Sequence, residues 1–206
     1  MNLKQNQVLQ VLSRVAEFGA QVVDLFPKET VAAEAFAAIA GGSSKLSRHR
    51  TVQDHCRQAL PARTASRSAA RETLKEQVNR ISQTAAVLAI DKPAVQDKFR
   101  QRSRDDQAMI HSALAFAKAA KQLKKEFLQH GMSNDFIEVL HTAARNLERA
   151  IQEQTSVKTA HTRVAKAIDK TITDCTAHLR RLDIIAANAL ADKPPALEKW
   201  NAVRQV

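Results

Sequence analysis

The chain contains no tyrosine, one tryptophan, four glycines, five prolines and two cysteines in 206 residues. Each scarcity excludes something. So few aromatic side chains disfavour a sheet-rich fold built on aromatic strands. So little glycine and proline leaves little material for turns, which makes long helices with short connections the economical architecture. Cys56 and Cys175 are far apart and neither belongs to a C-x-x-C pair, so no disulfide framework is implied, although a single bridge between them stays open. No run approaches the ~18 apolar residues of a membrane span. The opening MNLKQNQVLQVLSRVAEFGAQVVDLF has no continuous apolar stretch and does not read as a signal peptide. A reduced, cytoplasmic protein is the expectation.

What is present fits that architecture. Hydrophobic residues make up 44% of the chain and charged ones 26%, enough apolar material for a sizeable core. Alanine, leucine, lysine, arginine, glutamate and glutamine dominate, and all are good helix formers. The formal charge is +11, which favours acidic partners without choosing among nucleic acid, an anionic membrane surface and an acidic protein. The same surplus also serves solubility alone.

Apolar positions recur at helical intervals. Over 3–26, Val8, Val11, Leu12, Val15, Phe18, Gly19, Val22 and Phe26 share one stripe. Pro27 suits the start of a second helix, which GGSS at 41–44 is expected to end, glycine serving the C-cap and serine the next N-cap. A long helix over 45–90 follows, buried through Leu74, Val78 and Ile81, with Pro61 expected to kink or interrupt it. DKP at 91–93 is a turn, 95–129 is the next helix, and HGMSND separates it from the last, 135–191, which has neither glycine nor proline. The apolar stripe of that segment rotates slowly, as one gently supercoiled helix requires; a break near Thr155–Ser156 is the alternative. The expected fold is all-α: an elongated antiparallel helical bundle with long, partly coiled-coil-like helices. It forms one domain over 1–191, followed by a short tail, 192–206, packed by Trp200.

The stretches AARETLKEQVNRISQTAAVLA, FLQHGMSNDFIEVL (127–140) and the C-terminal RRLDIIAANALADKPPALEKWNAVRQV are distinctive. Through them the chain resembles an uncharacterised family of bacterial all-helical proteins. The resemblance implies a bacterial, all-α protein and brings no activity, ligand or catalytic residue.

Motifs of chemistry are sparse. Glu138-x-x-His141 is the one match to a di-iron bundle motif, and both side chains project away from the stripe of Leu140, Ala144 and Leu147. His49, His55 and Cys56 lack further ligands, and the adjacent His55 and Cys56 diverge by about 100° on a helix. No metal, cofactor or catalytic residue is assigned.

Two constellations remain as candidate sites. Arg63, Arg67, Arg71 and Lys75 recur every four residues and form a basic ridge, a candidate anion-binding site for a nucleic-acid backbone or an acidic protein. Arg63 and Arg67 also project onto the backward extension of the core stripe. Second, Arg102, Asp106 and His161 fall on inward stripes of helices joined by the HGMSND turn, and antiparallel packing would place them in one polar layer. The first constellation makes the protein a non-enzymatic scaffold or interaction protein. The second would make it a small-ligand binder or an enzyme. Pairing of long stripes between chains leaves homo-oligomerisation open.

Overall fold

The computed structural model describes residues 1–27, 29–100 and 105–205. Among the described residues the chain is all-helical: α1 (Leu3–Gln21), a 3-10 turn (Val23–Leu25), α2 (Val31–Asp91), α3 (Ala94–Lys98), α4 (Asp106–Gln122), α5 (Lys124–Gln129), α6 (Phe136–Ala189) and α7 (Pro194–Val203). None of these helices is long and apolar enough to cross a membrane. The chain divides into two compact units, one of Met1–Gln58 with Thr159–Val206, the other of Ala59–Lys158. The long helices α2 and α6 run through both.

In the first unit α1 begins on a capping box. The Asn2 side chain accepts from the Gln5 backbone N–H, and the Gln5 side chain accepts from the Asn2 N–H. Its inward face packs on α2 and α6 through Leu12, Val15, Ile39, Leu46, Ile168 and Leu182, all at most 1% exposed. Phe18, Phe26, Phe36 and Trp200 meet with ring centroids 5.5–6.3 Å apart, so the last helix is fastened by its tryptophan. Gly19 permits this approach: a Cβ there would lie 2.5 Å from the Phe36 ring.

The second unit packs Leu74, Val78 and Ile81 of α2 against Met109 and Phe116 of α4 and Leu140 and Leu147 of α6. Phe116, Phe99, Phe127 and Phe136, in that order, form its aromatic chain, each centroid 5.3 Å from the next. Every aromatic ring of the protein therefore lies inside one core or the other.

Several expected boundaries move. GGSS does not end a helix; α2 passes through it without interruption. Gly42 and Ser43 are buried there, and the Ser43 hydroxyl lies 2.9 Å from that of Ser13 on α1. The small residues admit neighbours rather than stop the helix. Pro61 does not interrupt α2 either. It is exposed, and the backbone carbonyl it leaves unpaired can turn to water. The first helix stops at Gln21 instead of Phe26, and the 3-10 turn takes the chain toward Pro27. Among the described residues the expected 95–129 helix is divided into α3, α4 and α5. Asp105 starts α4 by accepting from the Ala108 N–H at 2.9 Å, and at Leu123 the N–H turns to the Ala120 carbonyl and separates α4 from α5. In contrast α6 is a single helix across Thr155–Ser156.

Candidate functional site

From Arg57 to Thr73, α2 presents no fully buried residue. The core stripe of Leu74 and Val78 gives way there to arginine, and the structure shows what those arginines meet. Asp106 stands in the first turn of α4, its side chain only 10% exposed. Its Oδ2 accepts from Arg67 Nε at 2.8 Å and Nη2 at 2.7 Å, and its Oδ1 accepts from Arg71 Nε at 2.7 Å. Arg67 Nη1 donates to Gln154 Oε1 of α6 at 2.7 Å, and Gln154 Nε2 donates to Thr64 Oγ1 at 2.9 Å. Gln154 is itself 4% exposed. Beside this cluster Arg63 pairs with Glu153 at 2.6 Å, while Lys75 pairs with Glu72 at 2.9 Å.

The two candidate constellations thus meet at one carboxylate. Arg67 and Arg71 of the ridge enclose Asp106 of the expected polar layer. Arg102 lies outside the described residues, and His161 is half-buried on the α6 stretch of the first unit. Chemically, the Asp106 cluster is a hydrogen-bonded network linking α2, α4 and α6 within the second unit. Two guanidinium groups aimed at one carboxylate fix its orientation, and the positive end of α4 favours its charge. Both oxygens of the carboxylate are engaged by guanidinium donors. The ridge as a whole sets four cations against Glu153, Asp106 and Glu72, a surplus of one formal charge.

The other sequence candidates stand apart. His55 is exposed and Cys56 buried, so they do diverge. Glu138 is exposed and His141 half-buried. Among the described residues no group of three or more His, Cys, Asp or Glu side chains is placed to hold a metal ion. Cys175 packs against Gly42, and Cys56 lies fourteen positions further along α2, about 21 Å at helical rise, so the two cannot bridge. Both thiols are free. Burial, and then the neighbouring Asp174 charge, raise the Cys175 thiol above its ordinary pKa.

One feature escaped the reading of four-residue arginine spacing. Residues 107–125, which cover α4 after Asp106 and the start of α5, carry four lysines and no carboxylate. Lys118, Lys121 and Lys125 are exposed and Lys124 is half-buried, none with an ion-pair partner among the described residues. The nearest acid in sequence, Glu126, is occupied by Lys92 at 3.0 Å, which holds it below the usual carboxylate range. The signal was a missing residue type rather than a repeat of one.

No family model matches the chain, and no curated protein or solved structure matches it either.

Proposed function

We propose that this chain is a non-enzymatic helical interaction protein that holds a nucleic-acid backbone through cations on its helix faces. The observation that supports this most is the lysine face of α4 and α5, where four positive charges stand without a compensating carboxylate in residues 107–125. The basic ridge adds its residual charge, but its guanidinium groups are engaged with Glu153 and Asp106. Lysines on flexible stems act as point charges and suit phosphates without reading sequence. With every aromatic ring in a core, bases have no platform to stack on, so recognition is of the backbone alone.

The test is retention of the full chain on double-stranded DNA as a function of salt, beside the variant Lys118→Glu/Lys121→Glu/Lys125→Glu. Binding is expected to weaken steeply with salt, and the slope to fall by roughly one for each lysine that touches a phosphate. A wild-type chain with no salt-dependent retention, or a variant with an unchanged slope, overturns the reading. Displacement from DNA by polyglutamate at equal charge would move the assignment to an acidic protein partner.

A further inference from the structure

We infer that the groove between α1 and the beginning of α2 is a docking site for an amphipathic helix with basic flanks, supplied by a partner protein. The groove belongs wholly to the first unit and is independent of the lysine face. Its floor is Phe26 and Phe36, both buried. Its two walls repeat one spacing: positions 16, 19, 20 and 23 on the α1 side, and 33, 36, 37 and 40 on α2. On α2 this is the i, i+3, i+4, i+7 pattern of a single helix face, and on the other side Ala16, Gly19 and Ala20 of α1 are continued by Val23 of the 3-10 turn. Apart from Val23 and the two phenylalanines, every lining residue is alanine or glycine, so the groove stays open over the aromatic floor. Its volume is about 270 Å³. That lies just below the ~300–1,000 Å³ of ordinary small-molecule sites and suits a few inserted apolar side chains rather than a whole cofactor. Val23 is 52% exposed at its edge, and Val31, also exposed, follows at the start of α2.

Charge decides the occupant. Glu17 and Glu34 each follow a wall alanine, Ala16 and Ala33, and so stand about 100° round their helices from it, on the rim. Asp24 follows Val23, and Glu29 precedes α2. Residues 15–40 therefore hold four carboxylates against one lysine, in a chain whose total is +11. All four are exposed, and none has an ion-pair partner among the described residues. An anionic lipid surface is repelled by such a rim. A second copy presenting the same face would bring eight carboxylates together, which opposes a two-fold dimer through this groove. A helix whose apolar stripe enters the groove and whose lysines or arginines meet Glu17, Asp24 and Glu34 satisfies both the lining and the rim. The protein then carries two binding faces of opposite sign, one cationic on α4 and α5, one acidic and apolar between α1 and α2.

The probe is a fluorescently labelled synthetic helix with leucines at i, i+3, i+4 and i+7 and lysines on its flanks, titrated with the full chain by anisotropy. A matched peptide with glutamate in place of each lysine is the control. Saturable, salt-sensitive binding of the lysine peptide and none of the glutamate peptide are expected. Ala37→Trp, which fills the groove, and Glu17→Lys/Glu34→Lys, which inverts the rim, are each expected to weaken binding by roughly tenfold or more. Circular dichroism on each variant confirms that the helices persist. Absent binding, equal binding of both peptides, or binding that neither variant changes overturns the proposal. Sedimentation of the chain as a dimer that Ala37→Trp dissolves would place a second copy in the groove and overturn it too. Groove-dependent binding to anionic vesicles in place of the peptide would do the same for a lipid surface.

Discussion

Gly42 lies directly under Cys175. A Cβ at position 42 would run into the Cys175 Sγ, whereas one at the preceding Gly41 would meet nothing within 4 Å. Two adjacent glycines in the middle of one helix thus have opposite reasons to be there. Gly42→Ala is expected to destabilise the protein by about 1–3 kcal/mol through overpacking. Gly41→Ala should stabilise it by about 0.5–1 kcal/mol, since alanine in an exposed helix interior loses less backbone entropy than glycine. Urea midpoints of the two variants check this. Truncating the thiol in Gly42→Ala/Cys175→Ala should recover part of the first loss, a non-additivity expected of touching residues. Equal effects at the two glycines would refute the close approach.

The same pair marks where local reading stops. Buried positions were legible wherever the apolar period ran unbroken: Leu74, Val78 and Ile81 on α2, and Leu140, Ala144 and Leu147 on α6, are all enclosed. GGSS read as a stop because glycine and serine favour helix ends. What overrides that preference is tertiary, a thiol 133 positions away and a serine on another helix, and no local pattern displays it. The arginine cluster was half legible. Arg67 projecting onto a core stripe signalled a charge facing inward, and a charge facing inward needs a partner. That the partner is Asp106 depends on α4 starting at Asp105, a cap hidden by the charged run before it. The lysine face was invisible to a search for spaced cations because its mark is the lack of acids.

Asp106→Asn keeps the shape of the side chain and removes the charge that Arg67 and Arg71 share. Both guanidinium groups are more than a third exposed, so water offsets part of the loss. A destabilisation of about 1–3 kcal/mol is expected, against less than about 1 kcal/mol for Arg63→Ala, whose pair with Glu153 is exposed on both sides. Chemical denaturation of the two variants gives the order. If Arg63→Ala proves the more costly, the Asp106 network does not join α2 to α4 as described.

Burial raises the Cys175 thiol, and the sign of the consequence follows. The folded state holds this proton more tightly than the unfolded chain does. The stabilising contribution is therefore full below the unfolded thiol pKa of about 8.5, and it is lost as pH rises through the folded value. Wild-type stability should fall faster above about pH 8.5 than that of Cys175→Ala, the other alkaline groups being common to both. The same protection should make native Cys175 slow to alkylate with iodoacetamide, and fast once urea unfolds the chain. Parallel alkaline profiles for the two proteins would deny the raised pKa.

Pro61 tests why α2 survives a residue that usually ends a helix. Proline removes one donor, so the Arg57 carbonyl lacks its i+4 partner, and the ring crowds that carbonyl. Residues 57–73 contain no fully buried position, so the carbonyl is accessible to water and the penalty is reduced rather than removed. Pro61→Ala restores the donor and relieves the crowding, which favours the folded state by roughly 1–3 kcal/mol. It also frees the unfolded chain, which opposes folding by about 0.4–1 kcal/mol. The first effect is the larger, so Pro61→Ala should unfold at higher urea than wild type, with helical content by circular dichroism unchanged or slightly higher. A lower midpoint would mean that the proline shapes α2 in a way the packing around it requires, and that solvation of the Arg57 carbonyl is not what lets the helix continue.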